Sequence, residues 1–145
     1  MIIEFVGPSA VGKSTISEEV ARLLTEQNIK AWVEPEFMSV WSQMKMKDIL
    51  SSIRYARTLG IKWTDGFANE VIDISVAQAK LRQYSYLEGV VLSQGVARDL
   101  WISCRRHNVS DTQRAQAIGN LELPNGVILL NAGDEVREHA NKSLI

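Results

Sequence analysis

Short apolar runs alternate along this chain with longer stretches in which apolar residues return every three or four positions. The runs are Met1-Ile2-Ile3-Glu4-Phe5-Val6, Lys30 to Val33, Val90-Val91-Leu92 and Val127-Ile128-Leu129-Leu130. They are β-branched and nearly continuous in apolar residues, and Glu4 is the one charge in the first of them. That pattern predicts strands covered on both faces, as in a parallel sheet. The periodic stretches predict helices. Ile16, Val20, Leu23 and Leu24 share one face of a helix running from about Lys13 to Gln27. Trp41, Met44, Ile49, Leu50, Ile53 and Ala56 make an irregular stripe between Ser39 and Leu59. Phe67, Val71, Ile74, Gln78 and Leu81 share a face between Phe67 and Tyr84, with Gln78 its one polar member. A buried amide needs a partner, in the core or in a ligand. Shorter helices follow from Val96 to Arg106 and from Asp111 to Leu121, and a last one begins near Glu135.

Turn and cap residues punctuate these elements. Asn28, Gly60, Asp65-Gly66, Pro124-Asn125-Gly126 and Ala132-Gly133-Asp134 are stops, and Ser110 is an N-cap signal. Pro35 ends the second strand, and the residue before a proline, here Glu34, is expected to be extended. The order β-α-β-α-α-β-α-α-β-α predicts one α/β domain over residues 1–145, its sheet flanked by helices. Ligands of such sheets sit at the carboxyl ends of the strands. That rule gathers Gly7 to Thr15, Glu34 to Phe37, Ser93 to Arg98 and Asn131 to Asp134 on one rim.

Composition narrows the partners. The 145 residues are 46% hydrophobic and 23% charged, with a net charge of −1, as in an ordinary globular domain without a dedicated nucleic-acid surface. No apolar run approaches the roughly 20 residues of a membrane span, and no secretory leader is visible at the start. Cys104 is the only cysteine, so no intrachain disulfide can form and a cytoplasmic setting is expected.

The chemistry is concentrated in Gly7-Pro8-Ser9-Ala10-Val11-Gly12-Lys13-Ser14-Thr15, which fits G-x-x-x-x-G-K-[ST] between an expected strand and an expected helix. Gly7 and Gly12 allow the backbone to bend close to a ligand. Successive N–H groups then form an anion nest at the positive end of a helix. Lys13 supplies a cation for the outer phosphates, and the Ser14 hydroxyl is placed to ligate Mg²⁺, with Thr15 a weaker candidate.

With these residues in view, the chain resembles the P-loop kinases of nucleosides and nucleoside monophosphates. Gly7 to Thr15 carries the resemblance most specifically. Val33-Glu34-Pro35 with Trp41 beyond it looks like the Glu-Pro segment of thymidylate and deoxynucleoside kinases. Leu123 to Ala132, followed by Asp134-Glu135-Val136-Arg137, is similar to their fourth strand and lid helix. The resemblance implies a three-layer P-loop NTPase fold with sheet order 2-3-1-4, ATP with Mg²⁺, and γ-phosphoryl transfer to a nucleoside, nucleotide or similar small acceptor. It implies Glu34 as the base acting on the acceptor hydroxyl, with Glu36 the second choice. Arg98 could meet an acceptor phosphate, and Glu36, Phe37, Trp41 and Gln78 are candidates for the acceptor site.

Two departures stand out. The third strand of these families ends in a carboxylate that helps hold Mg²⁺, whereas here it reads Ser93-Gln94-Gly95. The lid arginines are reduced to Arg137, with His139 and Lys142, and the fifth strand does not follow before Ile145, so the domain is expected to be C-terminally incomplete. A nucleotide-binding module with little or no transferase activity is therefore the second reading. A GTPase is disfavoured because Asn141-Lys142-Ser143-Leu144 lacks the aspartate of the base-recognition motif. Ambiguous faces between Met44 and Leu59 leave room for a homodimer.

Overall fold

The computed structural model describes residues 1–8, 11–35 and 40–131. Four strands, β1 (Ile2–Val6), β2 (Ala31–Val33), β3 (Gly89–Leu92) and β4 (Gly126–Leu129), form one sheet in the order β2-β3-β1-β4. Every pairing is parallel, with Ile2 opposite Val90, Ile3 opposite Gly126 and Ala31 opposite Gly89. The helices are α1 (Lys13–Glu26), α2 (Val40–Gln43), α3 (Met46–Thr58), α4 (Phe67–Tyr84), α5 (Val96–Arg106) and α6 (Asp111–Ile118), with a 3₁₀ turn at Trp63–Asp65.

Side chains alternate across a strand, and here the alternation divides the core in two. Ile2, Val90 and Leu92 point to one face and join Tyr55, Phe67, Ile74, Leu81 and Leu100 from α3, α4 and α5. Phe5 and Val91 point the other way and meet Ile16, Val20 and Ala21 of α1. The result is the expected α/β architecture of three layers, helix–sheet–helix, with every strand's carboxyl end on one rim. The two central strands are buried throughout apart from a partly buried Ile3, as continuous apolar runs require. The outer strands depart from that expectation: Trp32 and Val33 on β2 and Val127 to Leu129 on β4 are exposed.

Between Val40 and Leu59 the chain makes two helices, α2 and α3, which explains the irregular stripe. Lys45 is extended (φ −104°, ψ 155°), and its N–H donates to the Asp48 carboxylate at 2.7 Å, capping α3. Asp48 is buried, and Arg82 of α4 pairs with it while donating to the Gln43 carbonyl at 2.7 Å. A buried carboxylate requires such a partner, and this one locks α2 and α3 to α4. Gly60 (φ 71°) and Asn28 (φ 62°) turn the chain in the left-handed region after α3 and α1, as expected. Ser110 caps α6 through reciprocal bonds with Gln113. No described helix is long and apolar enough to cross a membrane. Ser39 and the helix expected from Glu135 lie outside the described residues.

Candidate functional site

β1 delivers the chain into the glycine-bearing loop at its carboxyl end. A Cβ on Gly7 would stand 2.5 Å from the Leu130 carbonyl oxygen, so the close passage of the loop by β4 requires glycine there. Gly12 occupies the left-handed region (φ 85°, ψ 19°) as N-cap of α1. Among the described residues, the N-cap Gly12 offers no side chain to α1 and the first turn carries no acidic residue to offset its positive end. Lys13 folds back over the loop, its Nζ donating to the carbonyls of Gly7 at 3.0 Å and Pro8 at 2.6 Å. Ser14 and Thr15 are exposed on the first turn. Ser9 and Ala10, within the same motif, lie outside the described residues, and Val11 is partly buried against the loop.

A second cation, Arg98 of α5, lies near enough for its charge to act on Lys13, and its guanidinium pairs with Asp99 at 3.3 Å. Burial, and then the charge of Arg98, push the Lys13 ammonium below its ordinary pKa. The backbone that carries Arg98 is held by Glu4 of β1. Glu4 is fully buried and accepts the N–H groups of Ala97 at 3.0 Å and Arg98 at 2.7 Å. Its pKa is raised, chiefly because burial penalises the charge. Beside Arg98 opens a cavity of about 340 Å³ between α4 and α5, at the end of β3. Asp73, Lys80, Tyr84, Gln94, Arg98 and Asp99 give it its polar wall. Burial raises Asp99 to about 6, against the opposing charge of Arg98. Of these, the sequence marks Arg98 as a site candidate and Gln94 as the side chain in the place of a metal-binding acid. The signal for Glu4 was present as the lone charge in an apolar strand, and that for Asp99 as the residue following Arg98.

Glu34 stands at the end of β2 and reaches across to β3. Its Oε1 accepts both the N–H of Ser93, at 2.7 Å, and the Ser93 hydroxyl. The expectation of an extended Glu34 is corrected: its φ is 40°, in the left-handed region, where a non-glycine residue is strained. Three tethers hold it there. Its own N–H donates to the Val91 carbonyl at 3.1 Å, its carboxylate is fastened to Ser93, and the Tyr84 hydroxyl donates to the neighbouring Pro35 carbonyl at 3.3 Å. Burial, with Glu34 nearby, raises Tyr84 to about 12, which keeps that hydroxyl protonated. The third strand has no carboxylate of its own, yet one is placed at its end from β2.

Gln78 requires a correction of role. Its Nε2 donates to the Glu122 carbonyl at 2.8 Å and its Oε1 accepts the Glu122 N–H at 2.9 Å. Both ends of the amide are used to fasten the segment before β4 to α4, so the partner it needed is in the fold and not in an acceptor. Trp41 falls in α2, its side chain outside what is described, and Glu36 and Phe37 lie outside the described residues. Among the described residues no three His, Cys, Asp or Glu side chains gather as a metal cage.

No protein-family model matches the chain, and no curated protein matches it in sequence. Solved structures do match. A deoxyadenosine kinase from M. mycoides, with the products dCMP and a flexible dCDP bound, superposes with a TM-score of 0.50 at 18% identity, covering 99% of this chain and 70% of that one. The same enzyme with bound dATP gives 0.49 at 18% identity, covering 98% and 70%. The chain has the α/β P-loop fold of the first of these two structures.

Proposed function

We propose that this chain is an ATP-dependent small-molecule kinase, transferring the γ-phosphoryl group to a hydroxyl of a nucleoside or nucleotide held between α4 and α5. One observation carries the reading. A phosphate-loop sequence whose Gly7 and Gly12 are demanded by the local geometry opens on the same rim as Lys13, Arg98, Glu34 and a cavity of about 340 Å³. That volume suits a small ligand and not a polymer.

The roles follow from position. The loop amides and the first turn of α1 receive the triphosphate, an anion that the helix end favours. Lys13 leaves the Gly7 and Pro8 carbonyls to pair with the outer phosphates. Arg98 adds a second positive charge where negative charge builds up during transfer. Glu34, oriented by Ser93, takes the proton of the acceptor hydroxyl. Mg²⁺ in such sites keeps water and phosphate oxygens and needs only one or two protein ligands, so the exposed Ser14 hydroxyl fits it without a preformed cage. When bound, the ion neutralises charge on the phosphates. Transfer then rests mainly on positioning by this chain's residues.

The test is a product screen with labelled ATP against nucleosides, mononucleotides, sugars and amino alcohols. A phosphorylated nucleoside or nucleotide is the expected product. Tight ATP binding with no product across the panel supports the second reading, a nucleotide-binding module, which the Gln94 side chain in the usual place of a metal-binding acid favours.

A further inference from the structure

Glu4 is costly where it stands. It has no exposed surface, it faces the larger core beside Ile2, and burial disfavours its charge. Its carboxylate spans the first turn of α5, Oε2 accepting from Ala97 and Oε1 from Arg98. Helices ordinarily receive this cap from their own N-cap side chain. The N-cap of α5 is Gly95, which has none, and a Cβ there would stand 2.8 Å from Glu4 Oε2. The cap therefore comes from another strand, 93 residues away in sequence. A local serine or aspartate would satisfy the same N–H groups without burying a charge in the sheet. What the long-range cap adds is a rigid link. β1 continues from Glu4 into Gly7, and α5 carries Arg98, so one carboxylate fixes the phosphate loop and the second cation to each other.

We propose that Glu4 is a positioning residue that pins the first turn of α5 to β1, holding the Arg98 guanidinium against the anion that Lys13 binds. The proposal rests on the phosphate-binding reading above for its anion, and on the Glu4 geometry alone for the pin.

The experiment is a double-mutant cycle read in two ways. Binding of tripolyphosphate is measured by calorimetry for the wild type, Glu4→Gln, Arg98→Ala and the double variant. Amide hydrogen exchange is followed at Ala97 and Arg98. Glutamine keeps the shape but replaces an accepting oxygen with a donor, so the two amides should exchange about 10-fold faster or more, while Val91 on β3 is unchanged. Affinity should fall by about 3- to 10-fold in both single variants, and the double variant should bind no worse than Arg98→Ala alone. Gly95→Ala, which pushes a Cβ onto Glu4 Oε2, should give the same pattern and serves if Glu4→Gln does not fold. Losses that multiply in the double variant, or amides at Ala97 and Arg98 that stay protected, overturn the proposal. A wild type that does not bind tripolyphosphate overturns the phosphate reading, and the pin then stands or falls on the exchange of the two amides.

Discussion

Gly7 and Glu34 are the positions at which single residues decide the site. A methyl group at Gly7 meets a backbone carbonyl, Leu130 O, which cannot rotate away as a side chain would. The Leu130 N–H in turn donates to the Val6 carbonyl at 2.8 Å, so relief has to displace the junction of β1 and β4. Gly7→Ala should therefore cost about 1–3 kcal/mol of stability and weaken ATP binding. Thermal unfolding and a nucleotide titration check the two together. Glu34→Gln should behave differently. The glutamine oxygen can still accept from Ser93, so the corner stays folded and ATP affinity stays near normal, while transfer to the acceptor identified by the product screen slows by about 10²- to 10⁴-fold. Collapse of ATP affinity in that variant would reassign Glu34 to the metal.

At the scale of elements, what could be read from the sequence was what local chain chemistry decides. The four apolar runs, the glycine-lysine loop, the Ser110 cap and the Gly60 stop all act on neighbours within a turn or two. The misreadings arose where distant residues intervene. The stretch between Ser39 and Leu59 is interrupted at Lys45, where Asp48 caps α3 with a carboxylate that Arg82 holds from another helix. Glu34 leaves the extended region because Val91 and Ser93 hold it. Gln78 needs a partner on its buried stripe, but nothing local indicates Glu122, 44 residues on. Its amide makes Gln78 a clamp between α4 and the approach to β4. Gln78→Leu should leave the Glu122 backbone groups unpaired and cost about 1–3 kcal/mol, seen as a lower denaturation midpoint, with ATP affinity unaltered.

For the whole molecule, charge at the rim couples stability to pH. Asp99 moves from an ordinary 3.8 to about 6 because burial outweighs the attraction of Arg98 and Lys80, and Asp73 and Glu70 add to the rise. The folded protein therefore holds this proton more tightly than the unfolded chain. The stabilisation is fully present below 3.8 and is lost as pH rises through about 6. Unfolding of Asp99→Asn, followed across that window, should lack this slope, and the variant should gain about 1 kcal/mol near neutral pH, a modest figure because the side chain is 27% exposed. The central claim concerns the opposite charge on the same rim, the cations gathered for a triphosphate. Calorimetric titration of Mg²⁺-ATP into the wild type and Lys13→Ala tests it most directly. The account predicts saturable binding to the wild type and a loss of about 100-fold or more in the variant, with both proteins folded. No binding to the wild type, or equal affinity for the two, would contradict it.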